Sequence, residues 1–159
     1  IIKEVESDLN LSLTIPELNF PVSIRGKVDR VDLQDGILRI IDYKTGKVLQ
    51  NQLQISEWES ITSDYDKYSK PFQVLTYATM LLNNSSNKGE VEAGVISFKN
   101  LKEGFLKFKL KQKGNSNGSN ISEEVLEDFQ EQLKILIVEI CDPKIPFIEK
   151  EIKPAYGAY

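Results

Sequence analysis

The chain has 159 residues, a hydrophobic fraction of 40%, a charged fraction of 28% and a net charge of −4 at pH 7, a balance typical of one globular domain. It contains no histidine, which excludes Ser-His-Asp and Cys-His catalysis and histidine-ligated zinc. The single cysteine, Cys141, excludes an internal disulfide and is typical of the cytoplasm. No segment has the roughly 18 apolar residues of a membrane span. Because the chain begins Ile1-Ile2 without a signal peptide, we expect residues 1–159 to be one domain of a longer protein.

The first half of the chain predicts strands followed by a helix. Runs rich in Val, Ile and Leu indicate strands over residues 4–15 and 20–34. Residues 50–70 are polar and aromatic, and their hydrophobic residues follow neither a helix nor a strand period. Pro71 then predicts the start of a helix over Phe72–Leu82, which a polar run ends.

The second half predicts two strands and a long amphipathic helix. The strands are expected near residues 91–98 and 104–111, before a Gly/Asn/Ser loop at 114–120. Ser122 is a good N-cap for the helix, and Pro143 prevents it from continuing. Its predicted apolar face consists of Leu126, Phe129, Leu133, Leu136, Ile137 and Ile140.

A hairpin in the first half brings two acidic residues together. The dipeptide Asp35-Gly36 favours a two-residue type I′ turn, in which paired residue numbers sum to 71. In that register Asp29 lies opposite Asp42, and both acids face the core side. Like charges directly opposite each other destabilise a sheet. A divalent cation between them would turn that repulsion into attraction.

The other charges of the hairpin divide between the two faces of the sheet. Asp32 lies opposite Arg39 on the other face, and we interpret this pair as structural rather than catalytic. Lys44 lies on the same face as Asp42, where its ammonium could reach a water or a phosphate oxygen held by a metal. The alternative is that Asp42 and Lys44 only solubilise a strand end.

The sequence Asp29, followed by Asp-Tyr-Lys at residues 42–44, resembles the D…(D/E)-x-K core of the PD-(D/E)XK nuclease superfamily. The strings GKVDRVD at 26–32 and IDYKTG at 41–46 resemble the RecB/AddB branch, the nuclease domains of helicase-nucleases. QVLTY at 73–77 is similar to the Q-x-x-x-Y motif of that branch. The resemblance implies an α/β fold like that of restriction endonucleases, with a mixed central β-sheet flanked by helices.

The resemblance also implies a metal site. Asp29 and Asp42 would be ligands of Mg²⁺ or Mn²⁺, with the backbone carbonyl of Tyr43 as a third ligand. The branch often carries a cysteine cluster for an iron-sulfur centre, but Cys141 alone cannot hold one, so we expect no iron-sulfur cluster in this chain. The family's site usually includes an acid or a histidine from a helix upstream of the first strand. No such helix is predicted in this chain, and Glu4 or Glu6 is the candidate to take its place.

The remaining site residues follow from the same resemblance. Lys44 would orient or activate the attacking water, and Gln73 and Tyr77 would line the site. Residues four apart share a helix face, which independently allows the last point. The alternative for Gln73 and Tyr77 is an ordinary half-buried helix surface.

The resemblance implies a metal-dependent DNA nuclease, of exonuclease type, that works with a helicase domain or subunit in recombination or repair, and the lack of a long apolar segment predicts no membrane partner. One alternative is a nuclease-fold DNA-binding or scaffold module without turnover. A weaker one is a glycosidase with two carboxylates about 5 to 9.5 Å apart, which leaves Lys44 and the Q-x-x-x-Y motif unexplained. The alternating lysines Lys107, Lys109 and Lys111 predict either phosphate contacts or protection of an exposed sheet edge.

Overall fold

The computed structural model describes residues 1–83, 89–111 and 118–148. Within these ranges the strands are β1 (Ile2–Leu13), β2 (Val22–Gln34), β3 (Ile37–Lys44), β4 (Gln54–Ile55), β5 (Val91–Ser97), β6 (Phe105–Lys107) and β7 (Lys109–Leu110). The α-helices are α1 (Tyr65–Asn83) and α2 (Glu123–Cys141), and short 3-10 turns span Gln50–Leu53, Trp58–Ile61 and Phe98–Glu103. No helix in the described ranges is long and apolar enough to cross a membrane.

The central sheet is mixed, as predicted. Its strand order is β1-β2-β3-β5-β6, with β3 and β5 parallel and the other neighbours antiparallel. Helix α1 connects the parallel strands and packs against β1, β2, β3 and β5, while α2 packs against α1. The site-bearing strand β3 is therefore the middle strand of the sheet, with α1 beside it.

The predicted hairpin register is confirmed from Arg30 to Gln34, but the ladder ends before the predicted pair of Asp29 and Asp42. Gln34 pairs with Ile37, Asp32 with Arg39 and Val31 with Ile40, so the residue numbers sum to 71. The turn residues Asp35 and Gly36 have φ angles of 54° and 85°. A type I′ turn requires positive φ at both positions, which Gly adopts freely and Asp tolerates.

The predicted start of α1 was wrong. The helix begins at Tyr65 rather than after Pro71, which lies inside it. Asp64 caps the first turn, because its Oδ1 accepts a hydrogen bond of 3.2 Å from the Lys67 amide. Tyr68 and Pro71 are both buried, and this burial offsets part of the roughly 3 kcal/mol that an internal proline costs a helix.

The predicted single strand at 104–111 was also wrong. It is divided into β6, at the edge of the central sheet, and β7, which pairs with β4 in a separate two-stranded sheet. The division falls at the fully buried Phe108, whose amide still bonds the Ala93 carbonyl at 2.8 Å. Lys107 forms an ion pair of 2.8 Å with the buried Glu92, so for this lysine the structure favours a structural role.

The prediction for α2 is largely confirmed. The Ser122 side chain accepts a hydrogen bond from the Val125 amide at 3.2 Å, which is an N-cap. Phe129, Leu133 and Ile137 are buried as predicted, but Ile140 is 50% exposed. Val125 belongs to the core, and Val138 and Cys141 pack against it, so the buried stripe is rotated around the helix relative to the predicted one. Parts of the predicted polar run after α1 and of the Gly/Asn/Ser loop lie outside the described residues.

Candidate active site

Asp42 is a carboxylate buried in the middle of the sheet, with a residue exposure of 4%. It lies on the same face of β3 as Ile40, which belongs to the hydrophobic core. Burial raises the pKa of Asp42 above its ordinary value, since an apolar environment disfavours the charged form. The ion pair with Lys44 acts in the opposite direction, and the negative charge of Asp29 raises the pKa further. The two acids are therefore close enough to interact, as the hairpin register predicts.

Asp29 is held at the same place by the backbone of the neighbouring strand. Its Oδ2 accepts a hydrogen bond of 2.7 Å from the amide of Tyr43. Val28 and Val31 are both buried, so β2 does not alternate regularly across this segment, and its ladder pairs with β3 run only from Arg30 onward. The regular ladder has ended at this point, so the Asp29 carboxylate takes the hydrogen bond of the Tyr43 amide. This bond fixes the peptide group that joins Asp42 to Tyr43.

Lys44 links β3 to α1. Its Nζ lies 2.8 Å from Asp42 Oδ2 and donates a hydrogen bond of 2.7 Å to Gln73 Oε1. The Lys44 side chain is 30% exposed, so its ammonium lies at the boundary between the buried carboxylate and solvent. Two partners at once restrict the long side chain to one position.

Tyr77 completes a continuous polar chain. Its hydroxyl accepts a hydrogen bond of 2.8 Å from Gln73 Nε2, so Gln73 bridges Tyr77 and Lys44. The structure thereby brings Asp42, Lys44, Gln73 and Tyr77 into direct contact from two elements about 30 residues apart in sequence.

Gly26 is a site residue that sequence reasoning missed. It lies on β2 against α1, where an added Cβ would come within 2.9 Å of Met80 Cε and 3.3 Å of Tyr77 Cε1. Contacts below about 3.4 Å force a neighbour to move, so the absence of a side chain at Gly26 leaves room for Tyr77. The only sign in the sequence was its place at the start of the GKVDRVD string.

The opposite face of the sheet carries the predicted structural ion pair. Asp32 is 1% exposed and accepts two hydrogen bonds of 2.7 Å from the Arg39 guanidinium. Arg30, which the sequence did not predict, also donates to Asp32 and places its Nη1 3.3 Å from the Tyr43 hydroxyl. Burial alone would raise the pKa of Asp32, but the hydrogen bonds from Arg39 and Arg30 outweigh it, and the pKa is lowered.

The donor atoms fit a hard divalent cation. Two carboxylates and a peptide carbonyl are oxygen ligands of the kind that Mg²⁺ and Mn²⁺ prefer. Asp42 Oδ2 is buried and has no aligned hydrogen bond, although the Lys44 ammonium lies near it. A carboxylate oxygen in this state gains from a cation.

The upstream acid is not found among the described residues. Glu4 and Glu6 are exposed on β1, and no three Asp, Glu or Cys side chains in the described ranges form a metal-binding group. Asp29 and Asp42 are therefore the carboxylates that this part of the chain offers a metal, and the prediction for Glu4 or Glu6 gains no support.

The comparisons with known proteins agree with this geometry at the level of the superfamily. The family model of the PD-(D/E)XK nuclease superfamily matches residues 2–151, which is nearly the whole chain. Neither the curated proteins nor the solved structures give a match to the sequence. PD-(D/E)XK nucleases generally use divalent metals such as Mg²⁺, and their fold implies a DNA substrate. With its mixed sheet, its hairpin acids and this match, the chain belongs to the PD-(D/E)XK nuclease superfamily.

Proposed function

We propose that this chain is the nuclease domain of a longer protein of the RecB/AddB type and hydrolyses DNA phosphodiesters with Mg²⁺ or Mn²⁺, acting as an exonuclease. The observation that carries the proposal is the contact series from Asp42 through Lys44 and Gln73 to Tyr77, with Asp29 beside it. If Gln73 lay on an ordinary half-buried helix surface, it would have no need to accept a hydrogen bond from Lys44 of the buried strand β3.

Each residue has a distinct role in this proposal. Asp29, Asp42 and the Tyr43 carbonyl would hold the metal, which when bound would polarise the phosphoryl oxygen and supply a hydroxide-like water. The Lys44 ammonium stabilises negative charge that develops on the phosphate and positions the nucleophile. Because Gln73 accepts a hydrogen bond from Lys44, it would keep the ammonium in place if Asp42 bound a metal. Tyr77 fixes the amide orientation of Gln73.

A DNA-binding or scaffold module without turnover is the second candidate. The described residues bring two carboxylates to the site and no third. A site without the family's further acid favours a module that does not cut DNA. Such a module would still bind metal and DNA, so binding alone does not distinguish the two functions.

Cleavage of end-labelled DNA distinguishes them. Linear single- and double-stranded substrates carrying a label at one end or the other are incubated with the parent protein in Mg²⁺, in Mn²⁺ and in chelator. The proposal expects metal-dependent release of short products from one end and no nicking of closed circular DNA. If the parent protein binds DNA and metal but cuts none of these substrates, the scaffold function replaces the nuclease function.

The parent protein is part of the same proposal. A helicase domain or subunit that delivers unwound DNA is the partner expected for a nuclease domain of this branch, and the cytoplasm is the expected compartment. If full-length parent protein shows no ATP-dependent unwinding, alone or with its copurifying subunits, the helicase-nuclease assignment is wrong while the nuclease assignment is unaffected.

A further inference from the structure

A cleft of about 500 Å³ opens beside the candidate active site. It shares Lys44, Gln73 and Tyr77 with that site and extends along α1 from Tyr65 to Met80. Its other lining residues include Arg25, Gly26, Tyr65, Ser69, Lys70 and Phe72. A ligand bound in this cleft would therefore touch the residues proposed to perform the chemistry.

The charge of the cleft is opposite to that of the whole chain. The net charge is −4, yet the described lining of the cleft contains Arg25, Lys44 and Lys70 and neither Asp nor Glu. Because the Lys44 ammonium is paired with Asp42, Arg25 and Lys70 supply the positive charge of the cleft. A larger cavity of about 890 Å³ near the start of α2 shows the reverse, since its described lining includes Glu123 and Glu127 and neither Lys nor Arg. Cations concentrated in one concave surface attract anions to it.

One aromatic side chain that lines the cleft is largely exposed to solvent. Tyr65 is the first residue of α1 and is 71% exposed, so core packing does not explain it. Phe72 also lines the cleft, but it packs against the hydrophobic core and contacts Phe129 edge to face at a centroid distance of 5.5 Å. An exposed aromatic ring beside a cationic groove is the arrangement on which unpaired bases stack.

We propose that this cleft binds a single DNA strand next to the scissile phosphate, with Arg25 and Lys70 contacting its phosphates and Tyr65 stacking on a base. The proposal rests on the proposed nuclease function, since it places this strand against Lys44. The cleft has the volume of a small-ligand pocket and holds unpaired nucleotides rather than the cross-section of a duplex. A neighbouring cavity on the other side of Arg25 is lined in part by Asp8. The surface that carries only positive charges therefore ends at Arg25.

The test measures binding without metal, so that it does not depend on cleavage. A fluorescent oligothymidylate is titrated with the chain in chelator over a series of salt concentrations. The double variant Arg25→Ala/Lys70→Ala is compared with Lys3→Ala/Lys144→Ala, which removes two exposed lysines elsewhere and changes the net charge equally. Circular dichroism confirms that each variant is folded.

The cleft variant is expected to bind at least tenfold more weakly than the control variant at low salt. Its slope of log affinity against log salt should be shallower by about 1.4, because each lost phosphate contact to a single strand removes about 0.7. Tyr65→Ala should weaken binding about fivefold or more with the slope unchanged, because stacking releases no counterions. Duplex DNA of the same length should bind more weakly than the single strand and lose little on these substitutions.

Failure of this proposal differs from failure of the nuclease function. Equal affinity of the cleft and control variants, or equal losses for duplex and single strand, overturns the cleft even if Lys44-dependent cleavage is found. A chain that never cuts DNA but loses single-strand affinity on Arg25→Ala/Lys70→Ala retains the cleft and loses the nuclease function. A wild-type chain that does not bind the oligonucleotide at low salt also overturns the cleft.

Discussion

The Lys44 ammonium lies 2.8 Å from Asp42 Oδ2, so the lysine proposed for chemistry is paired with a carboxylate proposed to hold the metal. This pair partly neutralises a buried acid. A divalent ion at Asp42 would compete with the ammonium for the same carboxylate. Because Gln73 also holds Lys44, the lysine can leave Asp42 without leaving the site.

The first prediction concerns metal and stability together. Mn²⁺ should raise the melting temperature of the wild-type chain, because a ligand at a hundredfold excess over its Kd adds about 2.7 kcal/mol to the free energy of unfolding. Asp42→Asn should abolish this response, since it removes one of two carboxylate ligands. Calorimetric scans with and without Mn²⁺ measure both effects, and an equal response in Asp42→Asn would show that the metal binds elsewhere.

In chelator Asp42→Asn should unfold at the same temperature as the wild type or higher. The pKa of Asp42 is raised in the folded chain, so its ionised form is disfavoured there at neutral pH. The wild type should accordingly lose stability as the pH rises through the raised pKa of Asp42, a loss that the asparagine variant avoids.

The second prediction concerns Asp32 and its pH dependence. Asp32→Asn should lower the free energy of unfolding at pH 7 by about 2 to 4 kcal/mol, because it leaves two arginines without their buried anionic partner. The pKa of Asp32 is lowered below its ordinary value of 3.8, so its contribution is fully present above that pH. Urea unfolding should show the difference between wild type and variant shrinking only as the pH falls below about 3.8.

Metal binding provides the control for this variant. Since Arg39 and Asp32 lie on the face opposite to Asp42, the folded Asp32→Asn chain should keep its response to Mn²⁺. A variant that stays as stable as the wild type but no longer binds metal would contradict the structural role of Asp32.

The third prediction tests the contact between Gly26 and Tyr77. Gly26→Ala should cost about 1 kcal/mol of stability and slow cleavage, because the Met80 methyl can move aside but the Tyr77 ring must shift away from the new Cβ. Gly46→Ala is the matched control, since its Cβ would meet no atom within 4 Å. Thermal unfolding and the cleavage rate are measured for both, and equal behaviour of the two variants would show that Tyr77 does not need this space.

Local chemistry made the hairpin predictable. The Asp35-Gly36 turn determines the register, the register places Asp29 near Asp42, and strand alternation separates Asp32 from them. The pairing of Lys44 with Asp42 then follows from their positions on one strand face.

Contacts between distant segments were not predictable in the same way. Pro71 is a strong helix-breaking residue, and only the burial of Tyr68 and the cap at Asp64 explain why α1 begins before it. The packing of Gly26 on Tyr77 depends on how α1 crosses the sheet, which no local pattern encodes. Periodicity suggested one strand over 104–111, but Phe108 enters the core and divides it.

The most direct test of the central claim is the single-turnover cleavage rate of Lys44→Ala, measured in the parent protein with saturating Mg²⁺ and linear single-stranded DNA. Removing a group that stabilises transition-state charge typically costs two to three orders of magnitude in rate, so we predict at least a hundredfold loss. Mn²⁺ binding should be as tight as in the wild type or tighter, because the competing ammonium is gone. Lys144→Ala, which replaces an exposed lysine after the end of α2, should cut at the wild-type rate. If Lys44→Ala binds metal and still cuts DNA within a fewfold of the wild type, the site described here does not perform the hydrolysis.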